Sequence, residues 1–152
     1  MIFANPAKLT PDSGDFIVSF PGVPEAHAQG DIEAEALAEA VDALVAALGI
    51  YVQLRRDLPR PSRPKRGHHL VTLPSLIAAK AALYRAMREA GLTNAAMARR
   101  FGVTENAVRR LLDPDHPPHI GQIEAALAAL SKRLRIDVRD AAWLNSIADR
   151  CR

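Results

Sequence analysis

The spacing of apolar positions changes period once along the chain, and that change divides it in two. Over residues 15–20, Phe16, Val18 and Phe20 occupy every second position, the period of a strand with one face buried. Residues 2–9 read as an extended partner, and Pro11, Asp12, Ser13 and Gly14 supply the turn chemistry between them, which makes a hairpin. A short piece over 25–29 adds a third strand before Gly30 and Asp31 open a helix. That helix carries Leu37, Val41, Leu44, Leu48 and Tyr51 on one stripe, with Glu33 and Glu35 near its start and Arg55 and Arg56 near its end, as its macrodipole favours. The expected result is a three-stranded sheet under one long helix. Gly49 sits inside that helix, where glycine costs about 1 kcal/mol relative to alanine, and the sequence supplies no reason for it.

From residue 75 onward the period is helical. Ser75 is placed to cap a helix over 76–90 with Leu76, Ala79, Leu83 and Met87 inward and Gly91 as its terminator. Further helices are expected over 94–101, 105–112 and 120–130, with a proline-rich break over 113–118. The stretch 93–112 is the most specific signal. Thr93 and Thr104 can each accept from the free amides of the helix that follows, Ala98 is small where two helices would cross, Gly102 can take the turn conformation, and Val108 packs into the angle. This is the spacing of a DNA-reading helix-turn-helix, and it resembles the phage-repressor-like superfamily. Val108 and Leu111 must face inward, which turns Glu105, Asn106, Arg109 and, less squarely, Arg110 toward a groove. A guanidinium reads the two acceptors of guanine and an amide reads adenine, so Asn106 and Arg109 are the first candidates for base contacts. Thr93 and Asn94, at the amino end of the first helix, are placed for phosphate, and Thr104 stands at the start of the second.

The fold class expected is therefore α+β for residues 1–58, a basic linker over 59–68, an all-α DNA-binding and dimerisation domain over 69–140, and a tail over 141–152. One helix-turn-helix contacts too little DNA for strong specificity, so a homodimer or higher homo-oligomer on double-stranded operator DNA is expected. Two alternating extended pieces, 69–73 and 135–139, bracket the helices, and the expectation is that they pair into a small sheet across a two-fold axis.

Charge sharpens the division. Residues 59–67 hold three prolines and four cations, which excludes helix and buried strand and reads as an exposed hinge. The formal net charge of +3 hides a balance of −6 over residues 1–58, three lysines and arginines against nine carboxylates, and +9 over the remainder. Partners of opposite sign follow: a polyanion for the second half and a basic surface for the first. Cys151 is the only cysteine, so neither an intramolecular disulfide nor a cysteine metal cluster is expected. No run approaches the ~20 apolar residues of a membrane span, and the start of the chain lacks a cationic leader. A cytoplasmic location without membrane contact is the expectation.

The run SFPGVPEAHAQGD over residues 19–31, followed by EAL at 35–37, resembles the HicB antitoxin family. The resemblance continues through the proline-rich linker, the segment 69–76 and the helix-turn-helix. Two departures stand out: Ile32 and Ala28 occupy positions where the family has threonine, which leaves Asp31 to cap the long helix. The resemblance implies a degenerate ribonuclease H-like first domain that covers the active surface of HicA, a small basic RNA-cleaving toxin. The acidic first half suits that partner, and Asp12, Asp15, Glu25, Glu33 and Glu35 are the candidate toxin contacts. It also implies repression of the protein's own operon.

Catalysis is not expected. A nuclease of ribonuclease H type needs converging carboxylates on two metal ions, one from mid-strand, and residues 2–9 contain no acid. His68 and His69 are adjacent and point apart, His116 and His119 lie in the proline-rich break, and His27 reads as a surface histidine. No metal ligands and no cofactor are assigned. A transcription regulator whose acidic domain senses something other than a toxin is the alternative.

Overall fold

The computed structural model describes residues 3–140, so the expected tail over 141–152 lies outside the described residues. The described residues form two compact units: 3–48, 59–73 and 137–140 in the first, and 49–58 and 74–136 in the second.

The first unit holds four antiparallel strands, β1 (Ala4–Asp12), β2 (Asp15–Ser19), β3 (His27–Gly30) and β4 (His69–Thr72), in the order β3-β2-β1-β4. Ser13 and Gly14 make the two-residue turn between β1 and β2 with φ of 52° and 103°, the left-handed pair that matches the twist of a hairpin. The register Leu9↔Val18 and Val18↔Ala28 places these three side chains on one face. Asn5↔Val71 and Ala7↔His69 continue that face onto β4. Ala7, Val18 and Val71 are buried on that face, and helix α1 (Glu33–Gln53) follows β3.

The buried side of α1 is Ala36, Ala40, Leu44, Ala47 and Leu48, while Leu37 and Val41 are only half-buried. The stripe thus lies about one residue round the helix from the one expected, on its alanine side. The reason is close approach: a β-carbon on Gly30 would sit 2.5 Å from the Ala36 nitrogen. Small residues on both elements let the helix start seat directly on the end of β3.

The cationic segment expected to be an exposed hinge belongs to this unit. Pro59, Pro61, Ser62 and Pro64 are half-buried, and a β-carbon on Gly22 would lie 3.1 Å from the Ser62 nitrogen and 3.2 Å from the Arg60 carbonyl oxygen. Proline excludes helix here, as expected, but extended prolines pack well along a turn that lacks side-chain bulk. The segment leads into β4, which pairs with β1 as Ala4↔Thr72 and Pro6↔Leu70. The strand expected to join a partner chain instead closes the local sheet, because the outer edge of β1 is open to it. Its expected mate is absent: residues 132–140 form no strand, and Ile136 and Val138 are 65% and 89% exposed.

The second unit is helical: α2 (Ser75–Glu89), α3 (Asn94–Phe101), α4 (Glu105–Leu112) and α5 (Ile120–Ala129), with the last turn of α1 and the chain up to Leu58. Leu83, Met87, Met97, Val108, Ile123 and Leu127 are buried at its centre. Ser75 does not cap α2. Pro74 holds the cap position at φ −51° and ψ 141°, its carbonyl accepting from Ala78, without any side-chain cap bond. Gly49 acquires a reason, since a β-carbon there would stand 3.3 Å from Cγ of Pro114. Residues 54–58 are tied to α2: the Tyr84 hydroxyl donates to the Arg56 carbonyl at 2.8 Å, and Arg88 Nε meets Asp57 Oδ1 at 2.7 Å.

Counted over the described residues of these units, the charge division is −4 (six cations, ten carboxylates) against +6 (twelve against six). The signs expected for the two halves persist, at about two thirds of the contrast, because residues 59–67 side with the acidic unit and the end of α1 with the basic one.

Candidate functional site

Two threonines and a glycine build the α3–α4 element. Thr93 Oγ1 accepts from Ala96 N at 3.1 Å and Thr104 Oγ1 from Ala107 N at 3.1 Å, so each helix start has one of its free amides satisfied. Gly102 ends α3 at φ 70° and ψ 31°, donating to the Ala98 carbonyl. Ala98, Val108 and Leu111 are buried at the junction. The amphipathic α4 therefore has a fixed inward face, and its polar residues point away from the core.

Those polar residues fall on two clefts. Thr93, Asn94 and Arg109 share a cleft of about 630 Å³ with Gln53, Arg55 and Arg88. Thr104, Asn106 and Arg110 share a second, of about 300 Å³, with His116 and Gln122. Glu105 stands beside the first: its Oε1 accepts from Arg109 Nη2 at 2.9 Å, an ion pair one helical turn apart on the surface. Such an exposed pair contributes little to stability. Its effect is to hold the guanidinium over the exposed side of the helix with its remaining donors free for a ligand.

Lys80, on α2, was not anticipated. It is 3% exposed, and its ammonium donates to the carbonyls of Asp113 and His116, in the turn that leaves α4. Burial pushes its pKa below the ordinary lysine range, while the charges of Asp113 and Asp115 pull it back up. The cation thus ties the end of α4 to the core. A signal was available, because Lys80 falls four residues after Leu76 and three before Leu83, inside the apolar stripe.

The five candidate acids of the first unit do not all gather. Asp12 and Asp15 face each other across the hairpin turn, and Gln29 Nε2 donates to Asp15 Oδ2 at 3.1 Å. The pairing Phe16↔Gly30 brings the hairpin tip, the end of β3 and the start of α1 to one end of the sheet. Glu33 and Glu35 lie on that first helical turn. Glu35 is already engaged, since its Oε2 accepts from the Asp31 N–H at 3.0 Å. The carboxylate thus reaches one residue past the N-cap Ile32, whose amide a capping-box glutamate would bind, and Ile32 supplies no hydroxyl for the other half of such a box. Glu25 lies apart, in the turn preceding β3 at the opposite end of that strand.

The sheet face opposite the one that holds Ala7, Val18 and Val71 carries a different charge. His27, Ser19 and Lys8 are opposite one another on β3, β2 and β1. His27 thus sits in a row with Lys8 and not with an acid. Next to Lys8, His68 has a buried Nδ1 without a hydrogen-bond partner. Burial first, then the charges of Lys65 and Lys8 and the neighbouring His69, hold its pKa below the ordinary histidine value. Among the described residues no three histidine, cysteine or acidic side chains converge as metal ligands do, and no helix is long and apolar enough to cross a membrane.

Residues 4–82, just over half of the chain, match the family described as HicB-like antitoxin of bacterial toxin-antitoxin systems. Antitoxin HicB 2 of Photorhabdus laumondii is 39% identical over 131 residues, covering 86% of this chain and 93% of that one. Antitoxin HicB of Pseudomonas fluorescens is 36% identical over 142 residues, 93% of this chain and 97% of its own length. Antitoxin HicB of Escherichia coli K12 is 34% identical over 132 residues, with 86% and 96% covered.

Proposed function

The chain belongs to the HicB family of toxin-antitoxin antitoxins, and from that premise we propose that it does two things: it neutralises a HicA-like RNA-cleaving toxin through its first unit and represses its own operon through its second. The observation that carries the DNA half is the placement of Thr93, Asn94 and Arg109 on one cleft and Thr104, Asn106 and Arg110 on the other, flanking the exposed side of α4. Arg109 and Asn106 read base edges in the major groove. Thr93 and Asn94 hold phosphate at the amino end of α3, where the helix dipole adds to the attraction. Two copies bind adjacent half-sites. Arg109→Ala is expected to weaken binding to DNA from immediately upstream of the reading frame by about 1 to 3 kcal/mol and to relax one base position. Unchanged binding in a footprinting titration would remove Arg109 from the reading head.

The toxin half rests on charge and position. Asp12, Asp15 and Glu33, with Glu35 behind them, present carboxylates at one end of the first unit, a surface complementary to a basic ribonuclease. Glu25 is a separate contact or none. The first unit acts by covering the toxin and not as a nuclease: β1 bears no acid before Asp12 at the hairpin tip. The complex works in the cytoplasm, where both mRNA and operator are found. Co-expression of the chain with the product of the adjacent gene, followed by pull-down, tests this half; recovery of the chain alone would count against it.

A further inference from the structure

We propose that the end of α1 is part of the nucleic-acid surface, with Arg55 gripping a backbone phosphate of duplex DNA beside Thr93, Asn94 and Arg109. This rests on the DNA-binding reading above and extends it to a residue far from α3 and α4 in sequence. Three observations converge on Arg55.

The first is place. Gln53 and Arg55 line the same cleft as Thr93, Asn94 and Arg109, all within the second unit. The second is backbone conformation. Arg56 N donates to the Tyr51 carbonyl at 2.9 Å and Arg55 N to that of Val52 at 3.1 Å, which is a Schellman end, and Arg55 occupies its left-handed position at φ 54°. Glycine fills that position without steric cost, whereas an arginine there is disfavoured. A strained residue retained at a cleft invites a functional reading. The third is partnership. Around it, Arg88 is held by Asp57, Arg109 by Glu105, and Arg56 lies over the Tyr51 ring at 5.3 Å. The Arg55 side chain is exposed and makes no hydrogen bond or ion pair among the described residues.

Two carboxylates, Asp113 and Asp115, also line the cleft. The buried Lys80 ammonium lies among them and offsets part of their charge. The cleft is therefore not uniformly basic, and a duplex is held by arginines at its rim. Arg55 adds one phosphate contact per protomer, which positions the protein and carries no sequence information.

The test uses the full chain, a fluorescent duplex taken from immediately upstream of its reading frame, and a mixed-sequence duplex of equal length, titrated at several salt concentrations. Arg55→Gly is expected to leave the urea midpoint unchanged or raised, because it relieves the positive φ. The same variant should bind both duplexes about three- to tenfold more weakly, with the slope of log affinity against log salt smaller by about 0.9 per protomer. Arg55→Lys should restore the slope. Wild-type affinity and slope in Arg55→Gly would overturn the proposal while leaving the α3–α4 reading intact. Absence of duplex binding by the wild-type chain would overturn both.

Discussion

Two basic side chains in this protein, Lys80 and His68, are placed where carrying a charge is costly. Lys80 is buried yet compensated, since its ammonium meets two carbonyls of the turn after α4 and lies near two carboxylates. Removing it strands those carbonyls, so Lys80→Ala is expected to destabilise the second unit by about 2 to 4 kcal/mol in urea unfolding at neutral pH. A loss under 1 kcal/mol would mean the turn is held by other contacts. His68 is uncompensated, facing Lys8, Lys65 and His69 with a partnerless buried nitrogen. Its folded pKa is depressed, so the unfolded chain takes the proton first as the pH falls. Its contribution to stability is complete above the ordinary histidine value of about 6.5 and is lost progressively below it. Stability measured from pH 7.5 down to 5.5 should decline, and His68→Gln should flatten that decline; equal slopes in the two proteins would refute the assignment. At this scale the sequence showed what is local. Thr93, Thr104 and Gly102 act within one turn of themselves, and they read correctly. Lys80 and Arg55 depend on which loop or helix end the fold brings to them, and spacing along one element does not encode that.

Apart from the strand expected over 135–139, helices and strands were legible in kind and nearly in extent, because each carries its own period and stop signals. What periodicity could not supply was the distance between elements. The helix α1 settles by its alanines because Gly30 lets the chain pass within contact of Ala36. A stripe chosen by side-chain size alone therefore falls one residue off. Gly30→Ala is accordingly expected to cost more than the usual glycine-to-alanine change: a β-carbon 2.5 Å from a backbone nitrogen cannot be relieved by a rotamer. A loss of about 2 to 4 kcal/mol in the first unit is expected. A thermal midpoint equal to wild type would show that the helix start can shift at no cost. The pairing of β4 with β1 was missed for a similar reason. An alternating tetrapeptide announces a strand but not its neighbour, and the residues that deliver it, 59–68, have the composition of a free hinge while what receives them is Gly22, some forty positions away.

At the scale of the molecule, one helix serves both units: residues up to Leu48 count with the sheet, and those from Gly49 with the helical unit. The charge division follows the same boundary, −4 against +6 over the described residues. Within the first unit, charge is further sorted along the strands, with acids at the hairpin tip and start of α1 and cations at Lys8, Lys65 and nearby residues of the proline-rich segment. A uniformly acidic domain would attract a basic partner from any side, whereas a sorted one orients it. If the toxin docks at the acidic end, reversing Asp12 and Asp15 together to lysine should slow association with the adjacent gene's product at least tenfold at low salt. Glu25→Lys, at the other end of β3, should slow it far less. Raising the ionic strength, which shortens the screening length from about 30 Å at 0.01 M to about 8 Å at 0.15 M, should bring the rates of all three proteins together. Stopped-flow association would show this directly, and equal slowing by the hairpin and Glu25 reversals would mean that the partner meets net charge and not this end of the sheet.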